Sequence, residues 1–157
     1  MLSAILFACS PQSEESTDDN TSETVGKSQA EIDDEKIQSW INKNNSQAES
    51  LPSGVHYIID EPGSDEHPTL SSFVTVHYRG SNLDGVVFES SFESNKPLKI
   101  VLSRLIEGWK QGIPLIGKGG KIKLIIPSGL AYGQRALTAD VGPNSVLVFD
   151  IELLDFK

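Results

Sequence analysis

Apolar and polar residues alternate along several segments that follow Leu51. In FVTVHYRG, the side chains of Val74, Val76 and Tyr78 fall on one face of the chain, and polar side chains fall on the other. Alternation of this kind is typical of a strand with one buried face. Strand patterns bounded by turn residues recur in four further segments, which are GVHYIID, LKIVL, KIKLII and VLVFDIELLDF. The sequence therefore predicts a sheet with one apolar face.

One segment among these strands has the period of a helix. In RLIEGWKQGI, the apolar residues Leu105, Ile106, Trp109 and Ile113 share one side of a short helix. Gly108 lacks a side chain there, which permits a close approach by the backbone. Several strands with one short core helix indicate an α+β domain. The expected fold is a twisted antiparallel sheet of about five strands wrapped around that helix.

A second, shorter apolar stripe precedes this domain. AEIDDEKIQSWINKNN places Ile32, Ile37 and Trp40 at helical spacing, which predicts a short N-terminal helix. Asp33 and Asp34 lie near its start, where negative charge is favourable. The favoured interpretation packs this helix on the main domain, and a helix that binds a partner is the alternative.

The segment before this helix is polar and acidic. Residues 10–30 contain too few apolar side chains to offset the entropy of ordering them, so they predict a disordered tether. The formal net charge of −9 repels polyanions, so nucleic acid is not expected as a partner. The predicted division is a signal remnant at 1–9, the tether at 10–30, a helix and connector at 31–50, and the domain at 51–157.

Cys9 is the single cysteine of the chain, so it can form neither an internal disulfide nor a four-ligand zinc site on its own. It follows the apolar run MLSAILFA, and LFAC resembles the end of a bacterial lipoprotein signal. That resemblance implies cleavage between Ala8 and Cys9, a lipid on the thiol, and a signal peptide that begins upstream of Met1. Ser10 then implies the periplasmic side of the outer membrane. The alternative is a free thiol on an apolar terminus.

The remaining polar residues offer little reactive chemistry. The three histidines, His56, His67 and His77, lack metal-ligand spacing, so no metal site is predicted. Ser90 and Ser91 have no adjacent base, and GKGGK lacks the spacing of a P-loop. Five aromatic residues stay open to two interpretations, core packing or a binding pocket; they are Tyr78, Phe88, Trp109, Tyr132 and Phe149.

Four segments together resemble one known family. VTVHYRGSNLDGVVFESS, LIEGWKQGI, GGKIKLIIPSGLAYG and GPNSVLVFDIELL resemble successive blocks of the FKBP-type peptidyl-prolyl isomerase domain, in the same order and with similar spacing. The resemblance covers residues 53–156. It implies a half-barrel-like antiparallel sheet wrapped on a short helix, with a pocket between the two and no cofactor.

The resemblance also implies roles for individual residues. Trp109 would form the floor of the pocket, and Tyr78, Phe88 and Phe149 would form its walls. The residues to which it assigns catalysis are Tyr78, Phe88, Glu89, Ile106, Trp109, Tyr132 and Phe149. Those to which it assigns substrate binding are Leu98, Leu105 and Val141. In relatives, the backbone N–H at the Ile106 position and the hydroxyl at Tyr132 donate to carbonyl oxygens of the substrate.

Four residues depart from the family pattern. Glu89 stands where relatives usually have Asp, and Leu98 stands where many have Phe. Leu137 and Asp140 replace residues that are often His and apolar, respectively. Asp140 at the rim would disfavour acidic peptides, and we expect retained but reduced activity, with a preference for an apolar residue before proline.

An isomerase of this kind breaks no covalent bond, which explains the lack of a nucleophile. The implied partners are proline-containing polypeptide clients and macrolide-type inhibitors, and the implied place of action is the bacterial cell envelope. Larger relatives dimerise through long N-terminal helices, whereas the helix here is too short for that, so a monomer is expected. A fold that binds clients as a chaperone or adaptor without efficient catalysis is the alternative function. An anchored structural lipoprotein is a third hypothesis, which leaves the pocket residues unexplained.

Overall fold

The structure, a computed structural model, describes residues 26–157. The predicted signal remnant, the lipidation of Cys9 and residues 10–25 of the predicted tether lie outside the described residues. The helices are α1 (Gln29–Lys43), α2 (Ser91–Ser94) and α3 (Glu107–Gly112), and the strands are β1 (Glu49–Ser50), β2 (His56–Glu61), β3 (Phe73–Asn82), β4 (Val87–Ser90), β5 (Leu98–Val101), β6 (Lys121–Ile126) and β7 (Leu147–Phe156). Short 3₁₀ turns lie at Leu102–Arg104, Ile113–Leu115 and Ser128–Leu130.

All strands belong to one antiparallel sheet with the order β1-β2-β6-β7-β3-β4, and β5 also pairs with β3. The predicted α+β class, antiparallel sheet and N-terminal helix are confirmed. The sheet has seven strands where about five were expected. One reason is that β3 is ten residues long and pairs with β7 along one edge, while β5 and β4 divide its other edge. The other is β1, which has two residues and no apolar pattern.

The apolar face of the sheet packs against α3. Ile122, Leu124 and Ile126 of β6 are buried with Trp109 and other residues of the same cluster. Gly108 permits the close approach that its missing side chain predicted, because a Cβ atom there would lie 2.5 Å from Cγ2 of Ile126. This distance is well inside van der Waals contact, so the separation of α3 from β6 depends on glycine.

The opposite face of the sheet is covered by α1. Ile37 of this helix is 1% exposed and packs with Ile125, Val146 and Val148 in a second apolar cluster. This contact favours packing on the domain over partner binding for the buried stripe of α1. Within residues 26–157, no helix is both long enough and apolar enough to cross a bilayer.

The first turn of α1 begins two residues earlier than the expected boundary at residue 31. Ser28 is its N-cap, and it forms a capping box with Glu31. The backbone N–H of Ser28 donates to Oε2 of Glu31 at 2.7 Å, and the N–H of Glu31 donates to Oγ of Ser28 at 3.4 Å. These bonds satisfy donors that a helix start leaves free, so the helix begins at Gln29.

Candidate active site

Four aromatic side chains, each from a different element, meet in the apolar cluster between the sheet and α3. Trp109 of α3 contacts Tyr78 of β3 and Phe149 of β7, with ring centroids 5.1 and 5.2 Å apart. Phe88 of β4 contacts Phe149 at 5.8 Å. All three pairs are edge-to-face, with interplanar angles of 76° to 87°. This is the favourable geometry for aromatic quadrupoles, and it produces a connected apolar surface.

A β-bulge places consecutive residues of β4 at this site. In the β3–β4 ladder, Gly80 pairs with Glu89 and Ser81 pairs with Val87, so Phe88 has no partner of its own. Two residues then oppose one, which turns the strand locally. As a result Phe88 reaches the ring of Phe149 while its neighbour Glu89 lies close to the hydroxyl of Tyr78.

Gly80 is a residue of the site that sequence reasoning missed. It pairs with Phe149 across the β3–β7 ladder. A Cβ atom at this position would lie 2.6 Å from Cζ of Phe88 and 2.8 Å from Cε1 of Phe149. Only glycine therefore lets the two rings close over β3. The available signal was a glycine inside a strand pattern, which often marks a bulge or a close approach.

The tyrosine hydroxyls of the site remain protonated at neutral pH. Burial raises the pKa of Tyr78, and the carboxylate of Glu89 raises it further. Burial also raises the pKa of Tyr132, again with a contribution from the charge of Glu89. Both hydroxyls are therefore hydrogen-bond donors, and the single acid that influences both of them is Glu89.

The start of α3 contributes a backbone donor. Ile106 is the N-cap residue, and its carbonyl oxygen accepts from the N–H groups of Trp109 and Lys110 at 3.0 and 3.2 Å. Among the described residues, no acceptor is found for the N–H of Ile106 itself. Leu105 and Ile106 are partly buried and pack against the cluster that contains the rings. The helix start thus offers an unpaired N–H beside an apolar surface.

The loop before β7 covers one side of the site. Tyr132 is partly buried against the core cluster and follows the 3₁₀ turn Ser128–Leu130, and Val141 is 1% exposed within the cluster. The N–H of Val141 donates to Oγ1 of Thr138 at 3.2 Å, and the side-chain amide of Asn82 donates to the carbonyl of Asp140 at 3.1 Å. These bonds fix the loop to itself and to the β3–β4 hairpin.

Apart from Glu89, the predicted site residues of the domain all belong to one apolar cluster or pack against it. Ring contacts join four of them, and Leu98, Leu105, Ile106, Tyr132 and Val141 belong to the same apolar cluster or pack on it. Glu89 and Asp140 are exposed. Within residues 26–157, no group of three or more His, Cys, Asp or Glu side chains could hold a metal ion. Donors beside aromatic rings suit binding of an uncharged amide and its flanking carbonyls.

Comparisons with known proteins agree with this geometry. Residues 64–154 match the family model described as FKBP-type peptidyl-prolyl cis-trans isomerase. The protein named FKBP-type peptidyl-prolyl cis-trans isomerase FkpA of Buchnera aphidicola is 48% identical over 106 residues, which cover 67% of this chain and 42% of that protein. Outer membrane protein MIP of Legionella longbeachae is 38% identical over 107 residues, which cover 68% of this chain and 46% of that protein.

A solved structure is similar as well. The crystal structure of FkpA from Escherichia coli superposes with a TM-score of 0.71 at 40% sequence identity, over 82% of this chain and 61% of that one. The chain spans less than half the length of the two curated relatives named above.

Proposed function

The chain belongs to the FKBP-type peptidyl-prolyl cis-trans isomerases, and we propose that it accelerates rotation about the peptide bond that precedes proline in polypeptide clients. The observation that carries this proposal is the edge-to-face ring cluster of Tyr78, Phe88, Trp109 and Phe149. Ile106 and Tyr132, which supply a backbone donor and a hydroxyl donor, pack against the apolar cluster that contains these rings, and the rings include no nucleophile. A site of this kind suits a reaction that changes conformation without breaking a covalent bond.

The aromatic cluster lowers the barrier by favouring the twisted amide over the planar one. The barrier to rotation is roughly 18–20 kcal/mol, and it arises mainly from lost resonance. A planar amide carries more charge separation than a twisted one, so a water-poor apolar surface disfavours the planar ground state relative to the transition state. Each 1.4 kcal/mol of this selectivity corresponds to about a tenfold gain in rate.

The donors hold the substrate while one side of the bond turns. We assign the N–H of Ile106 and the hydroxyl of Tyr132 to the carbonyl oxygens that flank the rotating bond. Glu89 lies near the hydroxyls of Tyr78 and Tyr132, and we assign it to their orientation. Holding both flanks restricts the reactants to geometries close to the transition state. Asp140 at the exposed rim would repel acidic peptides.

A protease-free assay on peptides with a cis X-Pro bond tests this function. The full-length chain carrying Cys9→Ser is expected to accelerate isomerisation, and most strongly when an apolar residue precedes proline. Tyr132→Phe, which removes one donor and keeps the ring, is expected to lower kcat/KM by roughly three- to tenfold. No gain over buffer at micromolar protein would refute the enzyme. Peptide binding without turnover would instead support the alternative, a chaperone or adaptor.

We also propose that the protein acts in the bacterial cell envelope and is anchored by a lipid on Cys9. The support is the LFAC motif and the similarity to a protein named as an outer membrane protein. Intact-mass analysis of protein purified from bacterial membranes is expected to show a diacylglycerol on Cys9 as the new first residue. Cys9→Ser is expected to move the protein to the soluble fraction. Retained Met1 with an unmodified Cys9 thiol would contradict the anchor.

Three further features stay predictions. They are the monomeric state, the binding of macrolide-type inhibitors at the ring cluster, and the division of the chain into anchor, tether, helix and isomerase domain.

A further inference from the structure

Asp33 is a buried acid that connects α1 to the 3₁₀ turn that begins at Ser128. It is 1% exposed. Its Oδ2 atom accepts from the backbone N–H of Ser128 at 2.8 Å and from the Ser128 hydroxyl at 2.6 Å, across a separation of 95 residues. Its Oδ1 atom accepts from the side-chain amide of Gln29 at 2.7 Å. Both oxygens therefore have donors, which is the condition for burying such a group at low cost.

Ser128 in turn supports the backbone on both sides of Tyr132. Its carbonyl oxygen accepts from the N–H of Ala131 at 3.1 Å and from the N–H of Gly133 at 2.8 Å. These two residues are the immediate neighbours of Tyr132 in the chain. The carbonyl of Gly133 accepts from the N–H of Asn144 at 2.7 Å, which joins the same turn to the segment before β7.

The helix that carries Asp33 is itself held firmly on the sheet. Ile37, one turn further along α1, is fully buried against β6 and β7, and Trp40 packs at the edge of the same cluster. The carboxylate of Asp33 is thus a fixed point to which the turn at Ser128 is attached. Two hydrogen bonds to the same oxygen of Asp33, one from the backbone N–H and one from the hydroxyl of Ser128, therefore restrain the turn.

We propose that Asp33 is a positioning residue for the isomerase site, which it serves by holding Ser128 and thereby fixing the Tyr132 hydroxyl over the aromatic cluster. This inference rests on the proposed function of Tyr132 as a donor to the substrate. It makes catalysis depend on α1, a segment outside residues 64–154 that match the family model. The N-terminal helix is then part of the enzyme and not merely a connector to it.

A double-mutant cycle in the full-length chain carrying Cys9→Ser tests this role. Asp33→Ala is expected to lower kcat/KM by about three- to tenfold, as Tyr132→Phe does, and the double variant is expected to lose no more than either single variant. Asp33→Asn is expected to restore most of the activity, because its amide oxygen can still accept from Ser128. Asp34→Ala, which alters an exposed neighbour on the same helix, is the matched control and should behave as the parent protein.

A second measurement does not depend on catalysis. Hydrogen exchange at the amides of Ala131 and Gly133, measured well below the unfolding temperature, is expected to be faster in Asp33→Ala and unchanged in Asp34→Ala. Unchanged exchange would overturn the positioning role. So would additive losses in the cycle, or a loss of stability without any change in kcat/KM. If the parent protein has no isomerase activity, the proposed function fails, and the exchange rates alone decide whether Asp33 holds the turn.

Discussion

Phe149→Ala is expected to lower the free energy of unfolding by about 3–5 kcal/mol and to reduce kcat/KM by roughly a hundredfold. Phe149 is 1% exposed on β7, where it pairs with Gly80 of β3 and Leu124 of β6. Its ring contacts both Trp109 and Phe88. Removing it therefore opens a cavity at the centre of the sheet and also leaves the floor and one wall of the site without support.

Chemical denaturation and the peptide assay together measure this effect. Phe149→Leu retains most of the buried volume, so the free energy of unfolding is expected to fall by less than about 1.5 kcal/mol. The loss of transition-state stabilisation, calculated from the fall in kcat/KM, is expected to exceed this loss of folding free energy. Phe92→Ala is the matched control, since Phe92 is 45% exposed and stacks on His77 away from the ring cluster. If Phe149→Ala lost no more stability than Phe92→Ala, or kept the turnover of the parent protein, the claim that Phe149 supports both the core and the site would be wrong.

Strands that pack on the core were predictable where an apolar period of two coincides with a buried inner face. Val74, Val76, Ile122 and Leu124 follow this pattern without exception. The strand β1 was not predictable, since Glu49–Ser50 has no apolar side chain and pairs only at the edge of the sheet. This strand forms because it pairs with β2, and the pattern of its own two residues does not predict that pairing.

The start of α1 could have been placed correctly from the sequence. Ser28 followed three residues later by Glu31 is a capping-box signature, and the structure contains both of its hydrogen bonds. The interpretation of Asp33 could not have been corrected in this way. Its position near the helix start suggested a favourable charge at the dipole, whereas its role depends on Ser128, which is 95 residues away in the sequence.

The strand positions of the candidate site could be predicted from local sequence patterns, whereas the contacts between its distant residues could not. Alternation placed Tyr78 and Phe149 on the inner face of their strands, but it did not bring them near Trp109. The resemblance to a known family supplied that proximity, and the structure places the three rings in contact. The bulge at Phe88 and the close approach at Gly80 depend on the register between β3 and β4, which no local pattern contains.

Gly80→Ala is the sharpest test of that close approach. A single methyl group at this position would lie 2.6 Å from Cζ of Phe88 and 2.8 Å from Cε1 of Phe149, so both rings must move. Alanine in a strand interior is otherwise favoured over glycine, so any loss of stability reports the clash. We expect kcat/KM to fall by roughly ten- to a hundredfold and the free energy of unfolding by about 1–3 kcal/mol.

The clash can be separated from other effects of the new methyl group. Gly142→Ala is the control, because a Cβ atom there has no atom within 4 Å and should leave stability and turnover close to those of the parent. Combining Gly80→Ala with Phe88→Leu removes one of the two ring contacts and leaves the contact with Phe149 at 2.8 Å. The double variant is therefore expected to recover part of the stability but not catalysis, since a wall of the site is lost. If Gly80→Ala matched Gly142→Ala in both measurements, the two rings would not depend on glycine, and their tight closure over β3 would not be what shapes the site.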